Sequence, residues 1–178
     1  FSSFAGASGI TQTGVDPVKV QGPNKCGECH KFSVEVWKGT HHYSTFTRLP
    51  RSKKGREIAK KMGLKRIKSD SMCLDCHFTS VMAKSKQKPI AGISCESCHS
   101  HGADWIKVHG EYSGKKKETE TAAEAKARWQ KSEAAGMIRP HMTYKLAKNC
   151  YSCHTVPKEK LVNVGGHPAG SAFELVAW

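Results

Sequence analysis

Residues 92–110 read GISCESCHSHGADWIKVHG. At the centre of this stretch Cys95, Cys98 and His99 form the pattern CxxCH, and His101 and His109 follow. The pattern occurs three more times, as CGECH (Cys26, Cys29, His30), CLDCH (Cys73, Cys76, His77) and CYSCH (Cys150, Cys153, His154). All eight cysteines of the 178-residue chain lie in it. CxxCH is the attachment signature of c-type haem. Two thioethers fix the porphyrin edge to one turn of chain, and the next residue offers an imidazole to the iron.

Other uses of cysteine pairs fit less well. Cys76 and Cys95 have 18 residues between them, which suits a zinc site built from the middle two pairs. Zinc leaves the four histidines unexplained, and the outer pairs have no partner at that spacing. A disulfide framework ignores the histidines as well. A thioredoxin-like motif needs a βαβ setting and occurs once per domain. The pattern therefore predicts four covalent haem c groups, with iron bound by His30, His77, His99 and His154.

The rest of the chain predicts a mainly α, loop-rich fold, a compact multihaem c-type cytochrome whose haems form much of the core. Only 38% of residues are apolar, and they are scattered. No run reaches the roughly 18 apolar residues that a membrane span needs. Residues 1–178 read as a single domain, with an irregular lead-in over 1–24 and an irregular tail over 155–178. Glu118 to Ala135 is the clearest helix: Glu124 and Arg128 stand at i,i+4, Ala122, Ala125 and Trp129 share a face expected to pack inward, and Gly136 stops it. Strand signals are few, and the segment between the second and third motifs reads as a Lys-rich loop ending at Lys88-Pro89. The motifs are unevenly spaced, which argues against a solenoid.

The polypeptide carries a formal charge of +14. Eight propionates and four ferric centres would bring it to about +10, and full reduction to about +6. Such a surface suits redox-partner proteins with acidic docking faces. The basic run Arg51 to Lys68 carries no nucleic-acid-binding motif, so no nucleic-acid partner is expected.

Ten histidines less four proximal ones leave His41, His42, His101, His109, His141 and His167 for at most four distal positions. Five methionines add further candidates. His101 lies too close to His99 to reach the far face of the same haem. The segment W-K-G-T-H-H (Trp37 to His42) after the first motif, and GISCESCH followed by His109, resemble the tetrahaem cytochrome c-554 family, the electron acceptor of hydroxylamine oxidoreductase. The resemblance is good over roughly residues 24 to 110 and holds elsewhere only in order and spacing. It implies that His42 caps the third haem, His109 the fourth and His167 the first. It also implies a five-coordinate second haem, for which His141, without a counterpart in the family, is a further candidate ligand.

Electron transfer between redox partners outside the cytoplasm is the function this reading favours, without enzymatic activity. Two alternatives stay open. One is small-molecule redox chemistry (nitrogen oxides or hydroxylamine) at a five-coordinate second haem. The other is assembly of the chain, through surplus histidines and the apolar end FELVAW, into an oligomer or an extracellular filament. Haem attachment takes place outside the cytoplasmic membrane, which predicts a periplasmic or extracellular protein. No basic segment precedes an apolar run at the start, so an export signal is expected to have been removed or never present.

Overall fold

The computed structural model describes residues 14–174, except the side chain of Ser71. Ten short α-helices follow one another: α1 (Pro23–Gly27), α2 (Lys31–Lys38), α3 (His41–Arg48), α4 (Lys53–Lys61), α5 (Ser71–His77), α6 (Cys95–His99), α7 (Ile106–Gly110), α8 (Ala122–Ala134), α9 (Thr143–His154) and α10 (Glu159–Asn163). Between α5 and α6 lies one antiparallel hairpin, β1 (Thr79–Ala83) and β2 (Lys86–Ala91). The described chain is thus mostly helical and rich in loops, as expected, and none of its helices is long and apolar enough to cross a membrane.

Local chemistry sets the helix starts. Pro23 opens α1, where a missing N–H costs nothing. Thr40 caps α3 by accepting from the Tyr43 amide, and Ser52 caps α4 by accepting from Gly55. Asp70 accepts from the Met72 amide ahead of α5. Thr121 and Glu124 form a reciprocal capping box on α8. Each CxxCH sits on such a helix or just past its end. Cysteines three apart on a helix share a face, so both sulfurs can meet one porphyrin edge.

Two local readings are corrected. The Lys-rich segment is a hairpin, paired from Ala83↔Lys86 to Thr79↔Ala91. Its two-residue turn places Lys84 at φ 58°, a conformation usually signalled by Gly or Asn, so the sequence gives no turn cue. On α8, Arg128 does not pair with Glu124. It forms an ion pair with Glu120 at 2.7 Å, both side chains about 5–6% exposed, and donates to the His109 carbonyl. Glu124 is taken up by Lys115 and by its own cap. The inward residues of α8 are consequently Arg128 and Ser132, whereas Ala122 is exposed and Ala125 and Trp129 border an open groove.

The apolar core is small. Ala59, Ile67, Leu74 and Phe78 pack together with Phe46, Leu49 and Leu64 against them. Meanwhile Phe32 is 81% and Tyr144 83% exposed, although both lie on helices that lead from or into a motif. Packing of side chains alone leaves these rings in water.

Where it is described, the lead-in is pinned to the third motif. Glu96 is 1% exposed. Its Oε1 accepts from the Gln21 and Gly102 amides, at 2.8 and 2.6 Å, and its Oε2 from Gly22 at 2.7 Å. Gly22 holds φ 87°, a left-handed conformation that lets its amide turn onto the carboxylate. Replacing Glu96 with alanine would strand three amide donors and is expected to cost about 3 kcal/mol or more. Denaturant unfolding of the holoprotein measures it, and a loss near zero would mean that water replaces the carboxylate freely.

Candidate haem sites

The four motifs, far apart in sequence, meet in space. The Cys26 thiol hydrogen-bonds with that of Cys95, which joins the first motif to the third. Asn149 Nδ2 donates to the Cys98 carbonyl at 3.1 Å, and Cys98 lies within electrostatic reach of Cys150 and Cys153, which joins the third to the fourth. Cys153 and Cys76 share a hydrogen bond, which joins the fourth to the second. In space the order is therefore first, third, fourth, second. None of the eight cysteines is joined to another in a disulfide.

Around them the histidines fall into pairs. The rings of His30 and His109 are near-parallel, with an interplanar angle of 17° and centroids 5.9 Å apart. Those of His77 and His167 are 6.0 Å apart, and those of His42 and His154 are 6.2 Å apart. Two imidazoles on opposite sides of one iron, each bonded at about 2 Å, hold their centroids about 6 Å apart. Each pair joins a motif histidine to one of the surplus histidines. The partners differ from those the family resemblance implied: His109 meets the first motif rather than the fourth, His42 the fourth rather than the third, and His167 the second rather than the first. The reason lies in the fold. Arg128 and Trp129 hold α7 and the His109 ring against the first motif, while the tail returns along α4 and α5.

Several contacts fix these rings. His154 Nδ1 bonds to Ser171 Oγ at 2.5 Å and His167 Nδ1 to the Pro168 carbonyl at 2.7 Å, which turns each Nε2 outward. His99 Nδ1 likewise meets the Ile138 carbonyl at 2.7 Å. Trp37 Nε1 donates to the Ile93 carbonyl, tying α2 to the strand end ahead of the third motif. A Cβ at Gly92 would overlap the His42 carbonyl oxygen, so only glycine lets α3 come this close. Burial, with the His167 and His41 rings nearby, pushes the His77 imidazole down to about 4. Burial also lowers His42, His109 and His154. These four rings are thereby kept in the neutral form that iron binding needs.

The remaining histidines are placed otherwise. His101 accepts from the Asp16 amide through Nδ1 and faces Asp104 through Nε2, both at 3.2 Å. His141 lies on the loop before α9, 60% exposed, 3.8 Å from Glu133, and the ring beside His77 belongs to His167. His41 makes no ring pair among the described residues.

Haem fits this arrangement better than a bare metal ion. Among the described residues no three His, Cys, Asp or Glu side chains gather as a simple ion would require. His109 Nδ1 and Trp105 Nε1 are buried without a hydrogen-bond partner, on two rings in edge contact. Such orphans are costly and mark where a further group belongs. The family described as cytochrome c554 and c-prime matches residues 25–100. Residues 25–100 are thus similar to cytochromes of the c554 family. Cytochrome c-554 of Nitrosomonas europaea is 32% identical over 97 residues, which cover 50% of this chain and 41% of that protein. The chain thus spans about two fifths of the length of this curated relative. No solved structure matches. Covalent haem c, as in c-type cytochromes, is what the cytochrome c554 segment implies for its CxxCH cysteines.

Sequence reasoning did not find the Glu96 cradle, the Arg128 support of His109 or the carbonyl of Ile138. Glu96 lies inside CESCH, but nothing in the motif says that its carboxylate turns inward. Ile138 contributes only a backbone atom, which no side-chain pattern can show.

Proposed function

We propose that the chain is an exported tetrahaem electron carrier whose haems are attached at Cys26/Cys29, Cys73/Cys76, Cys95/Cys98 and Cys150/Cys153. When bound, the haems supply one-electron chemistry at iron. The residues supply attachment, orientation and electrostatics. His30 and His109, His77 and His167, and His42 and His154 are the ligand pairs, and His99 holds the third iron from one side. The observation that carries this reading is the coincidence of three independent ring pairs, each at iron-bridging separation and each containing one motif histidine.

The succession of motifs leaves the first and second at the two ends. These ends are the natural contact points for a donor and an acceptor. Near the second motif α4 displays Lys53, Lys54, Arg56, Lys60 and Lys61, all exposed, and Lys68 stands 3.2 Å over the Phe46 ring. An acidic partner is the one that this face suits. Adsorbed on a carboxylate-terminated electrode, the protein is expected to give a reversible wave integrating to four electrons. That wave should weaken on an amine-terminated electrode. A silent protein on both surfaces would refute the carrier reading.

A further inference from the structure

Resting on the tetrahaem reading and its His30–His109 pair, we infer that Arg128 is a positioning residue for the first-motif iron. Its guanidinium, locked by Glu120, holds the backbone of His109 so that the imidazole stays on that iron. Arg128, Glu120 and His109 all lie outside residues 25–100, the segment similar to the cytochrome c554 family.

His154, His167 and His99 are each turned by a hydrogen bond at Nδ1, to Ser171, the Pro168 carbonyl and the Ile138 carbonyl. Such a bond is the usual means by which a protein orients an imidazole toward a metal. His109 is held differently. Its Nδ1 is buried and has no hydrogen-bond partner among the described residues. Its ring is set instead by packing and by its own backbone. Trp105 and Trp129 flank it, with centroids 5.7 and 5.1 Å away. The His109 amide donates to the Trp105 carbonyl at 2.8 Å, and the His109 carbonyl accepts from Arg128 Nη1 at 2.7 Å. α7 is only five residues long, so its last carbonyls find no partner within the helix. Arg128 supplies one from outside.

The clamp is built for one orientation. Nε and Nη2 of Arg128 each donate to one oxygen of Glu120, both at 2.7 Å, which fixes the guanidinium plane and aims Nη1 at the carbonyl. Glu120 is itself held by Ser113 Oγ at 2.9 Å. The guanidinium also lies over the rings of Tyr112 and Trp129, at 4.8 and 4.7 Å. The side chain that grips the His109 backbone thus touches the tryptophan beside its ring as well. A buried ion pair adds little net stability, because desolvation offsets attraction. The effect of this one is therefore expected on the His109 ring. Lysine, a point charge without a planar fork, cannot make all three bonds.

The test uses the holoprotein, with the haems counted first by alkaline pyridine extraction. His109→Ala sets the scale: it should open one iron, seen as one more carbon monoxide bound per reduced chain than in wild type. A wild-type count below four haems, or a four-haem His109→Ala protein that opens no iron, overturns the underlying ligand reading. Arg128→Lys keeps a cation against Glu120. The double variant Glu120→Gln/Arg128→Met removes both buried charges together, where Arg128→Met alone would strand a carboxylate. Both variants are expected to bind carbon monoxide at that same iron about tenfold more tightly than wild type, the weight of one hydrogen bond to a charged group. In the ferric state the first centre, with imidazole planes 17° apart, should lose its rhombic resonance as the His109 ring turns. Suppose instead that His109→Ala opens an iron while both Arg128 variants keep four haems, the wild-type resonance and the wild-type carbon monoxide affinity. Arg128 then serves the fold alone, and the inference fails. Loss of a haem or of the fold in both variants overturns it too, because a positioning residue leaves attachment intact.

Discussion

Changing Cys150 and Cys153 together to alanine is expected to leave a three-haem protein in which the second haem is isolated from the other two. The fourth motif is the link in the observed succession. Cys153 touches Cys76 on one side, and α9 meets the third motif through Asn149 on the other. Without the fourth haem the first and third stay adjacent, because the contact of Cys26 with Cys95 and the three amide bonds to Glu96 do not involve α9. Stopped-flow reduction should therefore change from one concerted approach to equilibrium into two phases, with one haem of the three lagging. The corresponding change at Cys26 and Cys29 removes an end of the succession and should leave the remaining three haems in rapid equilibrium. Biphasic behaviour in both variants, or in neither, would show that the succession is wrong.

A second large effect is expected at His42. Its ring faces His154 at 6.2 Å, so alanine there strips the fourth iron of its distal ligand. One low-spin centre should turn high-spin, and carbon monoxide binding by the reduced protein should rise by one per chain. The potential of that haem should move upward on the order of 0.1 V, within the roughly 0.8 V range that axial ligation spans. His41 is the control: it is the adjacent residue, without a ring pair, and alanine there should leave both counts unchanged. If His41→Ala opens an iron and His42→Ala does not, the two neighbours have exchanged roles.

The haem motifs were legible because attachment chemistry fixes residue type and spacing locally. So was a helical, loop-rich fold, since the segments between motifs carry caps and helix formers but almost no alternating runs. The pairing of histidines was not legible. Which surplus imidazole meets which motif depends on contacts across 79 residues from His30 to His109 and 112 from His42 to His154. Those contacts are set by Arg128 reaching the His109 carbonyl, by Gly92 admitting α3, and by Ser171 turning His154. Family likeness supplied a set of pairings, and the fold supplied another. On α8 the favourable i,i+4 spacing of Glu124 and Arg128 misled for a similar reason. A buried guanidinium gains more from Glu120 and a carbonyl than from a surface pair worth a few tenths of a kcal/mol.

The FELVAW end, where a filament contact is one of the alternatives, lies mostly outside the described residues, which include only Phe173 and Glu174 of it. Phe173 packs on the proximal His154 ring with centroids 4.2 Å apart and on Tyr151 at 5.5 Å. Its ring is thus engaged by its own chain, beside the fourth motif.

Intact-mass spectrometry of the purified protein, with thiol titration under denaturing conditions, tests the whole construction most directly. The expected result is the 19.6 kDa polypeptide plus four covalently retained haems and no thiol left to react. A bare polypeptide with eight reactive thiols, or one that carries zinc in place of tetrapyrrole, would contradict it.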